Sequence, residues 1–147
     1  MDIINKKGLH NYQILERLEA GIQLTGAEVK SLRSGRCNLG DSYVKILNGE
    51  LWLINTDIPR YKYDGSENYD SSRSRKLLIK AKELIYLQSK MKQGNLTLIP
   101  VKIYSKGPLF KVEIALARGK KIHEKRDEER KKDLDRELLV DKRKYMI

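Results

Sequence analysis

Apolar side chains recur along this chain in two rhythms, and the rhythm changes at identifiable turn and cap residues. From Tyr12 to Leu24, the residues Tyr12, Ile14, Leu18, Ala20, Ile22 and Leu24 fall on one alternating set, broken only at Glu16. The Leu, Glu, Arg and Ala content of the stretch suits a helix, but the period of two favours one long strand. In the next segment, TGAEVKSLRSG, Thr25 and Glu28 have capping-box spacing, Val29 and Leu32 make a short apolar face, and Gly35 is a natural stop. The prediction is a helix of about two turns, too short to persist without docking.

The segment SYVKILNGELWLI predicts a hairpin, since Asn48-Gly49 suits the positive φ of a type I′ turn. A two-residue turn there sets Leu47 opposite Glu50, Ile46 opposite Leu51, Lys45 opposite Trp52 and Val44 opposite Leu53. Val44, Ile46, Leu51 and Leu53 then share an apolar face, while Tyr43, Lys45, Glu50 and Trp52 share a half-exposed one able to touch a partner. After Ile58-Pro59 the stretch YKYDGSENYDSSRSR, with three tyrosines, reads as a long polar loop. KAKELIYLQSKMKQG predicts an amphipathic helix with Ala81, Leu84, Ile85, Gln88 and Met91 on its apolar side. Leu96 to Tyr104 is a strand in which Pro100 implies an edge or a bulge. In the last strand Phe110, Val112, Ile114 and Leu116 alternate with Lys111, Glu113, Ala115 and Ala117. The expected fold is mainly β: an OB-like closed antiparallel barrel of about six strands with two or three short helices.

The pattern stops at the end of that strand. Residues 118–137, RGKKIHEKRDEERKKDLDRE, hold two large apolar side chains, Ile122 and Leu134. Burial there cannot offset a backbone entropy cost of about 1–2 kcal/mol per residue, so a disordered, charged tail over 119–147 is expected beyond a barrel over 1–118. Arg130, Lys131, Asp133, Leu134, Glu137 and Leu138 nevertheless fall at helical spacings.

Charge alters this picture. The 147 residues carry a net charge of +11, of which the part from Arg118 onward contributes +4 and the body +7. A basic body favours a polyanion such as RNA, DNA or an anionic membrane. No run approaches the roughly 18 apolar residues of a membrane span, and MDIINKKGLH lacks a signal-peptide core, so a cytoplasmic protein is expected. Cys37 is the sole cysteine, which excludes an internal disulfide and a cysteine-built zinc site. His10 and His123 are far apart, and no HExxH, GxSxG or phosphate-loop motif occurs. No catalytic residue, metal or cofactor is predicted.

The remaining candidates are cationic. Lys30 and Arg33, three residues apart on the capped helix, with Arg36 just beyond, form either a phosphate-contacting strip or a plain solvated face. Glu28 reads first as a capping residue. RSRKLLIKAK places Arg73, Arg75, Lys76, Lys80 and Lys82 around an apolar triplet, a basic rim inclined toward RNA.

GIQLTGAEVKSLRSGRCNLGDSYVKILNGELWLINTDI, RSRKLLI and ARGKKIHEKR together resemble the SsrA-binding proteins, also called small protein B, collinearly and over nearly the whole chain. The pattern G-x-E-V-K-S-L-R, Gly26 to Arg33, is the most specific part. The resemblance implies an OB-like barrel that binds transfer-messenger RNA and carries it to bacterial ribosomes stalled on truncated messages. Protein and RNA would together imitate a transfer RNA, without catalysis by the protein and with one monomer per RNA. It assigns Glu28, Lys30, Ser31, Arg33, Arg75, Lys76, Leu77, Leu78 and Lys80 to the RNA side. It assigns Gly119, Lys120, Lys121, Glu124, Lys125 and Arg126 to a tail that turns helical in the ribosome's decoding region and message path. Lys80 stands where the family often has Asn or His, and Glu124 replaces an Asp. Asn5, Lys6 and Lys7 match a basic segment loosely, with Gly8 where Ala is common. Two rivals carry other expectations: a structural ribosomal or assembly protein, and an RNA-processing enzyme that would need a catalytic cluster.

Overall fold

A computed structural model describes residues 2–63, 65 and 68–120, in the order β1 (Asp2–Ile4), α1 (Lys6–Asn11), β2 (Tyr12–Ile22), α2 (Gly26–Arg33), β3 (Tyr43–Leu47), β4 (Glu50–Ile54), β5 (Arg75–Leu78), α3 (Ala81–Met91), β6 (Thr97–Lys106) and β7 (Leu109–Gly119). The expectations for Lys121, Glu124, Lys125 and Arg126, and for a tail helix, lie outside the described residues. The fold is mainly β, as the alternating runs predict. All the strand pairs are antiparallel, and following them from β6 through β3, β4, β5, β2 and β7 returns to β6, with β1 added to the free side of β6.

The β3–β4 hairpin has the expected register, from Leu47 opposite Glu50 to Val44 opposite Leu53, with φ of 52° at Asn48 and 72° at Gly49. Val44, Leu51 and Leu53 join Leu98, Ile103, Val112, Ile114 and Leu116 in the main core. Pro100 does mark a bulge: the β6–β7 register slips between Pro100 and Lys102. It does not mark an edge, because β6 has β1, β3 and β7 as neighbours.

The long strand β2 corrects one reading. Its pairing with β7 shifts between Ile14 and Glu16, so Leu15 is an extra residue. A one-residue bulge exchanges the faces of a strand. Tyr12 and Ile14 therefore pack with Ile99, Val101, Ala115 and Ala117 in a second cluster, while Leu18, Ala20 and Ile22 point into the main core. Glu16, the residue that breaks the alternation, accepts the Tyr86 hydroxyl of α3 at 2.6 Å.

The second cluster is covered by α1, an element with no signal in the pattern. Six residues cannot hold a helix alone. Asn5 caps it by accepting the Gly8 N–H at 2.9 Å, and its amide donates to Pro100 O at 2.8 Å. Leu9 packs down on the cluster. The helix α3 also departs from the reading, because its fully buried residue is Leu87, whereas Ile85 is 65% exposed. Leu84 and Ile85 are adjacent, and a rotation of the stripe by about half the 100° step between neighbouring residues is enough to select Leu84, Leu87, Gln88 and Met91 instead.

Candidate nucleic-acid interface

The helix α2 begins as a complete capping box. Thr25 Oγ1 accepts the Glu28 N–H at 3.2 Å, and Glu28 Oε1 accepts the Thr25 N–H at 2.8 Å. The same carboxylate, 1% exposed, is also the hub of a buried ion-pair network. Arg75 Nε donates to Oε2 at 2.5 Å and Arg73 Nη2 to Oε1 at 2.6 Å. Arg75, with no exposed surface, spends its other donors on Thr56 O at 2.7 Å and Ser71 O at 3.0 Å. Burial alone would push the Glu28 carboxyl up, but the hydrogen bonds from Arg73, the Thr25 N–H and Arg75 outweigh it and hold the group below its ordinary range. The inner side of α2 is fastened further by Ser31 Oγ, which donates to Pro59 O at 2.6 Å.

This network sorts the predicted site residues. Glu28, Ser31, Arg75 and Leu77 are at most 2% exposed and bind α2 and β5 to the barrel and to residues 56–71. Buried groups of this kind influence a partner by placing other side chains. Lys30 and Arg33 are exposed, as is Arg36 beyond the helix. Lys30 Nζ lies 5.9 Å from the centroid of the Tyr61 ring. Arg33 and Arg36 have no acidic partner among the described residues.

Along β5, Lys76 pairs with Glu50 at 3.2 Å and Leu78 is 48% exposed. Lys80 is exposed at the start of α3. Gly119 closes β7, and the Lys120 N–H donates to Asn11 O at 3.0 Å, so both belong to the ordered barrel edge next to α1. Tyr61 and Tyr63, which the loop reading did not single out, stand beside α2; their tertiary placement depends on the Ser31–Pro59 bond, which has no sequence signature.

The face formed by β2, β6 and β7 is different in kind. Arg17 pairs with Glu113 at 2.9 Å, Lys102 with Glu113 and Asp2, and Lys106 with Glu19 at 3.2 Å. Arg17, Lys102 and Lys106 are thus met by carboxylates, while Arg118 donates to the Gln13 side chain and Lys111 has no ion pair among the described residues. Because exposed pairs are worth about 0–1 kcal/mol each, they contribute little stability, but they do offset part of the positive charge of that face. The α2 strip keeps its field for a partner. Cys37 is held as the neutral thiol, since burial pushes it up to about 12. No group of His, Cys, Asp or Glu among the described residues could hold a metal ion, and no helix among them is long and apolar enough to cross a membrane.

Fold and strip define a class: a small basic β-barrel presenting to a polyanion a helix whose cations have no acidic partner among the described residues. Comparison with known proteins narrows the class. The family described as SmpB protein matches residues 3–144. An SsrA-binding protein of Dehalococcoides mccartyi strain BAV1 is 53% identical over 134 residues, 91% of this chain and 78% of that protein. One from Sulfurihydrogenibium sp. strain YO3AOP1 is 52% identical over 91% of this chain and 88% of its own length. A solved chain, described as "tmRNA-SmpB: a journey to the center of the bacterial ribosome", superposes with a TM-score of 0.69 at 44% identity, over 82% of this chain and 85% of that one. The chain belongs to the SmpB family of SsrA-binding proteins.

Proposed function

We propose that this protein is a non-enzymatic adaptor of the bacterial cytoplasm that binds transfer-messenger RNA and delivers it to stalled ribosomes for trans-translation. The observation that carries the reading is the pair Lys30 and Arg33, with Arg36 just beyond, on a helix whose buried side is locked by Glu28, Arg75 and Ser31, in a chain of the SsrA-binding family. A helix fastened on its buried side, with cations that lack an acidic partner among the described residues, suits phosphate contacts that position an RNA. Lys76, Leu78 and Lys80 extend the surface along β5, and buried Leu77 supports it. The tail, from Gly119 and Lys120 through Lys121, Glu124, Lys125 and Arg126, contacts the ribosome in this reading, in the decoding region and message path.

Recovering the protein from cells and sequencing the bound RNA tests the proposal. One dominant RNA with a tRNA-like acceptor end is expected. Bulk ribosomal RNA in its place would defeat the adaptor reading.

A further inference from the structure

We propose that Tyr61 and Tyr63 form a stacking platform for unpaired nucleotides beside α2, so that RNA is held through bases as well as phosphates. The inference deepens the proposed function and rests on it.

The platform is built from the inside. Ser31 Oγ, donating to Pro59 O at 2.6 Å, pins the chain just before Tyr61 to the buried side of α2, and the Tyr69 hydroxyl, donating to Ile58 O at 2.6 Å, ties it to the far end of the loop. From there Tyr61 and Tyr63 project as an edge-to-face pair, with centroids 5.6 Å apart and planes at 68°. Tyr63 is 76% exposed, the most exposed of the large apolar side chains among the described residues. Neither hydroxyl has a hydrogen-bond partner among the described residues, so the rings are held by ring contacts.

Each ring comes with its own ammonium group: Lys30 Nζ is 5.9 Å from the Tyr61 centroid, and Lys62 Nζ is 5.5 Å from that of Tyr63. This spacing lets one nucleotide lay its base on the ring and its phosphate against the lysine. An exposed cation–π contact is weaker than base–aromatic stacking, so a base can displace the amine, which stays within reach of the phosphate. Charge complementarity favours RNA over an apolar protein segment, because Arg33 and Arg36 continue the cationic strip without acidic partners among the described residues. Stacking tolerates any base, so the platform distinguishes unpaired from paired RNA and leaves sequence unread.

The test titrates the full-length protein with labelled oligouridylate, which has no paired structure, and with a blunt RNA hairpin, each at a series of salt concentrations. Tyr61→Leu/Tyr63→Leu is expected to weaken oligouridylate binding about tenfold and hairpin binding about twofold or less, with an unchanged salt dependence. Tyr61→Phe/Tyr63→Phe should behave like the wild type. Three results would overturn the proposal: unaltered oligouridylate binding in the leucine variant, equal loss on both RNAs, or a phenylalanine variant as weak as the leucine one. If the double leucine variant loses thermal stability, Tyr63→Leu alone carries the comparison, since that ring is mostly in solvent. A parallel titration with transfer-messenger RNA keeps the two ideas separate. Stacking without preference for that RNA would sink the adaptor reading and leave the platform standing.

Discussion

Glu28 is where the two readings of one residue can be separated. It caps α2, and it is also the counter-charge of Arg75, which has no exposed surface. Removing one member of a buried pair leaves the other charge uncompensated, at a cost of about 3–5 kcal/mol. Glu28→Gln keeps an oxygen for the Thr25 N–H but loses the charge, so a large fall in stability is expected from chemical denaturation. RNA affinity should fall only as far as the folded fraction falls. The pH dependence follows from the lowered pKa. A carboxyl whose folded value lies below its ordinary 4.5 contributes stability that is complete above that value and is lost as the pH falls through the folded one. The wild type should therefore lose stability as the pH drops below about 4.5, and the gap to Glu28→Gln should narrow over the same range. A gap that stays constant with pH would mean that the carboxylate's charge is not what holds Arg75. At this scale the sequence was only half legible. Thr25 and Glu28 are three residues apart and announce the cap. Arg75 is 47 residues from Glu28 in sequence, and no local pattern marks it as a buried partner rather than part of an exposed basic rim.

Elements were legible where one face is polar and one apolar, as in the β3–β4 hairpin and the even-numbered positions of β7. They were misread where both faces are covered or the register slips. In β7, Ala115 and Ala117 occupy the side that solvent would otherwise hold, because α1 lies over them, and small residues there give no sign of burial. The Leu15 bulge in β2 is equally silent, since Tyr12 and Leu18 share a sequence parity and face different clusters. In α3 the two candidate stripes contain almost the same residues, and the choice between them is made by the barrel against which the helix docks. Truncation decides the matter by size of effect. Leu87→Ala is expected to cost about 2–5 kcal/mol, as a buried leucine leaving a cavity. Ile85→Ala should stay within about 0.5 kcal/mol, as an exposed change away from packed features. Equal effects in denaturant titrations would mean that the helix is rotated from the position described.

For the whole molecule, charge is divided among three places: a largely ion-paired β2–β6–β7 face, the α2 strip and a tail rich in both signs. If the strip and the β5 rim together make on the order of five to eight phosphate contacts, the log–log slope of RNA affinity against salt should be about −4 to −7. Lys30→Ala and Lys76→Ala should each reduce it by about one, and an unchanged slope in both would place the RNA on another surface. Residues 118–147 add a net charge of +4, and 118–137 hold only two large apolar side chains, so the contribution of this segment to isolated RNA binding and its contribution at the ribosome can be separated. Replacing Glu124, Lys125 and Arg126 together with alanine removes two cations and one anion at positions beyond the last barrel strand. These residues serve the ribosome and not the core in the proposed function; substitutions away from packed features cost within about 0.5 kcal/mol of stability and the α2 strip remains intact, so folding and most of the affinity for transfer-messenger RNA should survive. In the proposed function those residues instead face ribosomal RNA, where the tail must order before the message path can be occupied. The variant is therefore expected to deliver its RNA to stalled ribosomes and to fail in peptide tagging. The measurement sets an RNA titration beside a reconstituted tagging assay. Collapse of both would make the tail part of the primary RNA site and end the division of labour, whereas full activity in both would reduce its charge to solvation.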